Sequence, residues 1–324
     1  MTRNFVEPDL FTDHLAALMT AGDASDPIAA QFVATAAEAV FRPEECADPI
    51  GDGAHSPVKG VVHRYPDRVL LTPHFTCPAY CRFCFRRNRV GQPGTALSPA
   101  ELDAALAYIR DHEEVWEVIL SGGDPLMMTP DRLGFLMDAL DAMAHVEVLR
   151  IHTRMPVSDP GRITPETVDT LRRRRAAVYV VLHANHPREL GPETIEVCRT
   201  IQEAGVPMLA QSVLLKGVND DPATLGTLMR TLVRHRIKPY YLHHCDLAPG
   251  TGHFRTSLEA GQALMRSLRG ELSGLCQPVY VLDIPGGHGK VPVGPCYLGP
   301  DGAGGVTVED PSGHRHRYPP ETPP

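Results

Sequence analysis

Cys77, Cys81 and Cys84 lie together in the stretch Thr76-Cys-Pro-Ala-Tyr-Cys-Arg-Phe-Cys-Phe-Arg-Arg87. Three thiolates this close hold three irons of a four-iron cluster and leave the fourth iron open to another ligand. A structural zinc or a closed ferredoxin cluster takes four protein ligands, and no fourth cysteine or histidine stands near by at a regular spacing. His74 is the nearest candidate, on a run that reads as strand, where packing or hydrogen bonding suits it better than ligation. Zinc is therefore not expected.

A second constellation is Pro285-Gly-Gly-His-Gly-Lys290-Val291. A phosphate-binding P-loop needs Ser or Thr after its lysine to hold magnesium, and Val291 stands there instead. A lysine on a glycine-cleared loop can form a Schiff base with a flat aldehyde cofactor, since partial desolvation lowers the pKa of such an amine. Taken alone, the stretch reads better as an exposed loop with a solvated lysine.

These residues need elements to position them. Short β-branched runs at 69–72, 117–120, 146–151, 178–182, 208–213 and 239–243 alternate with segments of helical periodicity, such as Leu225, Leu228, Met229 and Leu232. Ser98-Pro99, Thr129-Pro130, Thr164-Pro165 and Asp221-Pro222 mark helix starts, because proline fits the first helical position and the residue before it can cap. Strand alternating with helix about six times predicts parallel pairing in an α/β open or closed barrel. Active residues then belong at strand C-terminal ends, where Cys77, Ser121, His152, His183, Gln211 and His243 fall. Residues 1–60 read as a helical extension and linker, 61–298 as the core, and 299–324 as a hairpin (305–318) with a disordered tail from Pro319.

The chain has 324 residues, 43% of them hydrophobic, enough for one large core. A formal net charge of −8 gives no footprint for nucleic acid. The basic run Arg172–Arg175 follows an apolar helical pattern and reads as a solvated helix C-terminus. Eight cysteines in a chain this long are no secreted disulfide framework, and Cys46, Cys198, Cys245, Cys276 and Cys296 read as ordinary buried thiols. With no signal-peptide core and no membrane span, the cytoplasm is the expected location.

The Cys-x-x-x-Cys-x-x-Cys run resembles the signature of the radical S-adenosylmethionine enzymes. Residues 48–318 more closely resemble the lysine 2,3-aminomutase family, through His63-Arg-Tyr-Pro-Asp-Arg-Val69, Leu120-Ser-Gly-Gly-Asp-Pro-Leu126, Gln211-Ser-Val-Leu-Leu-Lys-Gly-Val-Asn219, Pro239-Tyr-Tyr-Leu-His-His-Cys-Asp246 and the Lys290 loop. The resemblance implies a partial (β/α)6 barrel. It also implies three cofactors: a 4Fe-4S cluster on Cys77, Cys81 and Cys84, S-adenosylmethionine, and pyridoxal 5'-phosphate on Lys290. By the same resemblance Ser121, Gly122, Gly123, Asp124, His183 and Gln211 contact S-adenosylmethionine, with the Asp124 carboxylate taking its ammonium. Arg64, Tyr65 and Arg68 match positions near the cofactor phosphate, Arg86 the arginine that clamps the substrate carboxylate, and Asp246 and Asp283 the acids that receive the distant ammonium of lysine.

The implied activity is conversion of L-lysine to β-lysine, fed by a reductant such as flavodoxin or ferredoxin. Asp221 stands where zinc-binding members have a cysteine, and their C-terminal cysteine cluster is missing, so intersubunit zinc and the associated tetramer are not expected, although an oligomer is compatible with the sequence. Relatives of this short length act on a lysine side chain of elongation factor P but tend to lose the acid before Pro-Gly-Gly; Asp283 here favours free lysine. A related 2,3-aminomutase of another amino acid, such as arginine, and a non-catalytic iron-sulfur redox sensor are the other readings, and an intact Lys290 argues against the sensor.

Overall fold

The computed structural model describes residues 9–319 except 24, 173 and 303. Nine strands form one curled, open sheet in sequence order: β1 (Val61–Tyr65), β2 (Arg68–Leu71), β3 (Glu117–Leu120), β4 (Val148–Thr153), β5 (Ala177–His183), β6 (Met208–Leu214), β7 (Lys238–His244), β8 (Val279–Asp283) and β9 (Lys290–Pro292). Strands β2 to β8 are mutually parallel, while β1 and β9 lie antiparallel at the two edges. Short helices α1 (Asp13–Leu18) and α2 (Ala29–Phe32) precede the sheet. The crossovers carry α3 (Pro99–Asp111), α4 (Pro130–Asp141), α5 (Met155–Ser158), α6 (Pro165–Leu171), α7 (Pro192–Glu203), α8 (Pro222–Arg234) and α9 (Leu258–Glu271). A separate antiparallel sheet of β10 (Leu298–Pro300), β11 (Val306–Glu309) and β12 (Arg315–Tyr318) ends the described chain. No helix among the described residues is long and apolar enough to cross a membrane.

Local sequence explains the helix starts. Ser98, Thr129, Thr164 and Asp221 each accept a bond from the third residue onward, and proline follows every one of them. The apolar stripe of α8, Leu225, Leu228, Met229 and Leu232, is buried as its spacing requires. These side chains meet Val180, Leu182, Ala210 and Leu214 of the sheet in one core. Alternate residues of β6, Gln211 and Val213, turn the other way and line a cavity.

The structure departs from the sequence reading in three places. Strands β1, β8 and β9 are not among the six expected runs; the five residues of β8 follow a 3-10 turn at Gly274–Cys276. The N-terminal region is mostly irregular, because its segments are anchored by polar side chains instead of long apolar faces: Gln31 donates to Glu189, Asp26 pairs with Arg188, and Glu38 pairs with Arg82 and Arg87. Cys46 and Cys296 are exposed, so only Cys198, Cys245 and Cys276 are the buried thiols expected. The hairpin is present and gains β10 as a third strand. Of the basic run, Arg174 and Arg175 bond to backbone carbonyls of Thr170, Met143 and Val146, while Arg173 lies outside the described residues, as does all of the expected tail except Pro319.

Helix α9 seats against β8 through Gly261, where an added Cβ would overlap the Tyr280 ring and hydroxyl. That hydroxyl is bonded to His244 Nδ1 at 2.7 Å and cannot simply swing aside. Gly261→Ala should therefore lower stability by about 1–3 kcal/mol, the usual cost of overpacking. A thermal melt matching that of the unaltered chain would show that the α9–β8 seam yields freely.

Candidate active site

A cavity of about 690 Å³ occupies the concave side of the sheet, and every residue singled out in the sequence for a cofactor or substrate lines it. One wall is the loop after β2. Its turns are closed by Cys84 N to Cys81 O and Arg87 N to Cys84 O, which bring the three free thiols to the cavity. Burial, then the charges of Asp124 and the other two thiols, raise Cys77 well above its ordinary pKa; burial pushes Cys81 up to about 12 and raises Cys84 as well. All three thiols line the cavity, but among the described residues they are not drawn together into a metal-ligating group; cations binding there would draw off their protons. His74 stays out of this set: it is buried, held neutral by burial with a pKa of about 4, and its Nδ1 accepts from Thr76 N.

The glycines after β3 serve this loop directly. A Cβ on Gly122 would come within 2.8 Å of His74 O, and one on Gly123 would overlap the Thr76 backbone. Gly123 N and Asp124 N donate to His74 O and Thr76 O, stapling the two loops together. The Asp124 carboxylate lines the cavity and accepts from Thr153 Oγ1, Arg154 N and Leu126 N.

The floor is histidine. His183 and Gln211 are register partners on β5 and β6, and His152 meets His183 edge-on with ring centroids 5.5 Å apart. Burial depresses the pKa of His152, His183 and His243, leaving neutral rings whose buried Nε2 atoms have no partner among the described residues. These atoms suit the polar groups of a bound ligand.

The far wall belongs to Lys290. Pairing of β8 with β9 places Lys290 opposite Asp283, and its ammonium donates to the Asp283 carboxylate and to His243 Nδ1, the latter at 3.1 Å. Its backbone N–H donates to Tyr65 Oη at 2.7 Å. Gly286, Gly287 and Gly289 all have φ between 84° and 93°, so the loop glycines first answer a backbone need. Arg68 stacks over the Tyr65 ring and pairs with Asp67. Arg64 and Arg86 converge on Asp52, a residue that sequence patterning left unmarked.

The Radical SAM superfamily pattern matches residues 71–225. Over 287 residues the chain is 42% identical to L-lysine 2,3-aminomutase of Clostridium subterminale, covering 89% of this chain and 69% of that protein. The chain belongs to the lysine 2,3-aminomutase family. It is accordingly an isomerase of the radical S-adenosylmethionine superfamily. Glutamate 2,3-aminomutase of Clostridioides difficile is 37% identical over 85% of this chain and 65% of that protein. Among solved structures, Streptococcus suis SuiB bound to S-adenosylmethionine superposes with a TM-score of 0.51 at 15% identity, over 68% of this chain and 51% of that one; this likeness concerns the fold alone.

Within this member of the aminomutase family, the two acids of the lysine wall differ sharply. Burial would raise Asp283, but His243 and the charge of Lys290 hold it well below the usual carboxylate range. Asp246, also buried and facing the Asp283 charge, is pushed up to about 7. A raised carboxyl pKa contributes stability that is full below the unfolded value and is lost as pH rises through the folded one. The stability of the cofactor-free chain relative to Asp246→Asn should therefore fall between pH 5 and pH 8. A difference in melting temperature that stayed flat across that range would contradict the charge balance described here.

Proposed function

We propose that the chain converts L-lysine to β-lysine by moving the amino group from C2 to C3, using a 4Fe-4S cluster, S-adenosylmethionine and pyridoxal 5'-phosphate. The observation that carries this reading is the convergence of Lys290, two carboxylates and three free cysteines on one cavity. When bound, the cluster and S-adenosylmethionine supply a radical that removes a substrate hydrogen, and pyridoxal phosphate supplies the conjugation across which nitrogen migrates. We assign residues 61–298 as the catalytic core, a low-potential protein such as flavodoxin or ferredoxin as electron donor, and the cytoplasm as the compartment.

The residues divide the work. Cys77, Cys81 and Cys84 would hold the cluster, with His183 and Gln211 offering polar contacts to S-adenosylmethionine from the floor. Lys290 would carry the pyridoxal, and Tyr65, Arg64 and Arg68 stand on its side of the cavity for the phosphate. His243, neutral by burial, presents Nδ1 to Nζ at 3.1 Å and can accept the proton an amine must lose before it acts as a nucleophile. Arg86 offers a planar fork to the substrate carboxylate.

Substrate choice follows from charge. In the structure Lys290 is the cation that neutralises Asp283. An amine committed to a cofactor no longer does so, which leaves Asp246 and Asp283 facing a cavity in need of one positive charge. The ε-ammonium of lysine meets that need, whereas the side chain of glutamate would add a further negative charge.

Anaerobic reconstitution with iron, sulfide, pyridoxal phosphate and reductant should load about four irons and give β-lysine from L-lysine by mass analysis. Cys77→Ala should abolish deoxyadenosine formation while Cys198→Ala leaves it unchanged, and borohydride should fix a pyridoxyl label on Lys290. Asp283→Asn should lower kcat/KM for lysine roughly a hundredfold, since an unpaired buried charge costs about 3 kcal/mol or more. Absence of β-lysine alongside modification of elongation factor P would replace free lysine by a protein-bound one as the substrate.

A further inference from the structure

Asp52 belongs to the N-terminal extension and is buried, 5% exposed, in a loop that reaches the cavity from outside the barrel. Its Oδ2 accepts from Nε and Nη2 of Arg86 at 3.0 and 2.7 Å, and its Oδ1 accepts from Nη2 of Arg64 at 3.1 Å. Arg64 Nη2 also donates to Ile50 O at 2.6 Å. Both arginines line the main cavity, but Asp52 does not; it stands behind them, on a smaller pocket of about 170 Å³. Two guanidiniums thus share one carboxylate, and one positive charge is left over for anionic groups on the cavity side.

The loop that carries Asp52 is itself fixed. Asp48 accepts from the backbone N–H groups of Asp52 and Gly53, both at 2.8 Å, and Ser56 Oγ donates to Asp52 O. A Cβ on Gly51 would stand 2.6 Å from Gly287 N, and His55 Nε2 bonds Gly287 O at 3.0 Å, so this loop is stapled to the loop that presents Lys290. On the Arg86 side, the guanidinium lies over the Phe85 ring at 4.3 Å, and its Nη1 has no hydrogen-bond partner among the described residues. Asp52 takes one edge of the Arg86 fork and leaves the other edge to a ligand. Arg64 likewise retains a buried Nε without a partner among the described residues.

We propose that Asp52 is a positioning residue that aims Arg86 and Arg64 together, so that the carboxylate of the substrate and the phosphate of the cofactor are both recognised through one buried acid of the N-terminal extension. This rests on the assignment of those two arginines made above. It makes the extension a working part of the site, and it ties the two anionic subsites to a single residue that touches neither ligand.

The test compares ligands that differ only in the group concerned. The reconstituted full chain and its Asp52→Asn variant are titrated with L-lysine and with cadaverine, which lacks the carboxylate. The apo chains are titrated with pyridoxal phosphate and with pyridoxal, which lacks the phosphate. Loss of aim should weaken lysine and pyridoxal phosphate about tenfold each, as small misplacements of a binding group do, while cadaverine and pyridoxal change by no more than about twofold. Asp52→Glu, which keeps the carboxylate, should restore part of both affinities, and it serves as the measured variant if Asp52→Asn does not fold. Combining Asp52→Asn with Arg86→Gln should weaken lysine no further than Arg86→Gln alone. Equal weakening of all four ligands would reduce Asp52 to a structural residue and overturn the proposal, as would unchanged affinities. If the wild-type chain fails to prefer lysine over cadaverine, the assignment of Arg86 fails first and takes this proposal with it; if only the variant behaves like wild type, the role of Asp52 alone is lost.

Discussion

Charge buried in the wall of this half-barrel has to be paired, and the pairing decides how the rest of the chain is arranged. Desolvating an ion costs several kcal/mol unless a partner and hydrogen bonds repay it. The N-terminal extension supplies the acids: Asp26 meets Arg188, Glu38 meets Arg82 and Arg87, and Asp52 meets Arg64 and Arg86. Each arginine belongs to the barrel or to the cysteine loop. The extension therefore needs little regular structure of its own, because it is held by ion pairs at fixed points along its length. Its few helical turns add apolar anchors, Leu15 of α1 and Phe32 of α2, both buried in the main core.

The cysteine loop shows the same economy at shorter range. Arg82, between the second and third cysteines, is fully buried and points away from the cavity to Glu38, while Cys81 and Cys84 on either side of it line the cavity. From the opposite side, Gly122 and Gly123 admit the backbone of residues 74–76 at a separation no side chain would permit. The loop is gripped between an acid and a pair of glycines. That grip matters for any group the thiols hold, since a rigid scaffold sets ligand geometry before the ligand arrives.

Much of this was legible in the sequence, and the boundary of legibility is physical. Proline after a capping residue located four helices, and β-branched runs located six parallel strands to within a few residues. The thiols stood out by type and spacing, and Lys290 only through the family resemblance. What could not be read were partners brought together only by folding: Asp52 and Arg86 are 34 positions apart, and Glu38 and Arg82 are 44 apart. No periodicity links such residues. The bonds that Thr153 and Arg154, about thirty positions away, give to the Asp124 carboxylate were invisible in its motif for the same reason.

The edge strand β9 gives the last constraint. It is only three residues long, yet its register against β8 sets Lys290 opposite Asp283. A slip of one residue would turn the lysine to the other face of the sheet and present Val291 in its place. The connection that prevents this is the six-residue turn closed by Ile284 N to Gly289 O, whose positive-φ glycines fix the loop length, and whose Gly287 is pinned to Gly51 and His55 of the extension. Register, and with it the chemistry open to Lys290, is thus specified from two sides. The glycine-rich stretch is better understood as the device that aims the lysine than as clearance for whatever the lysine binds.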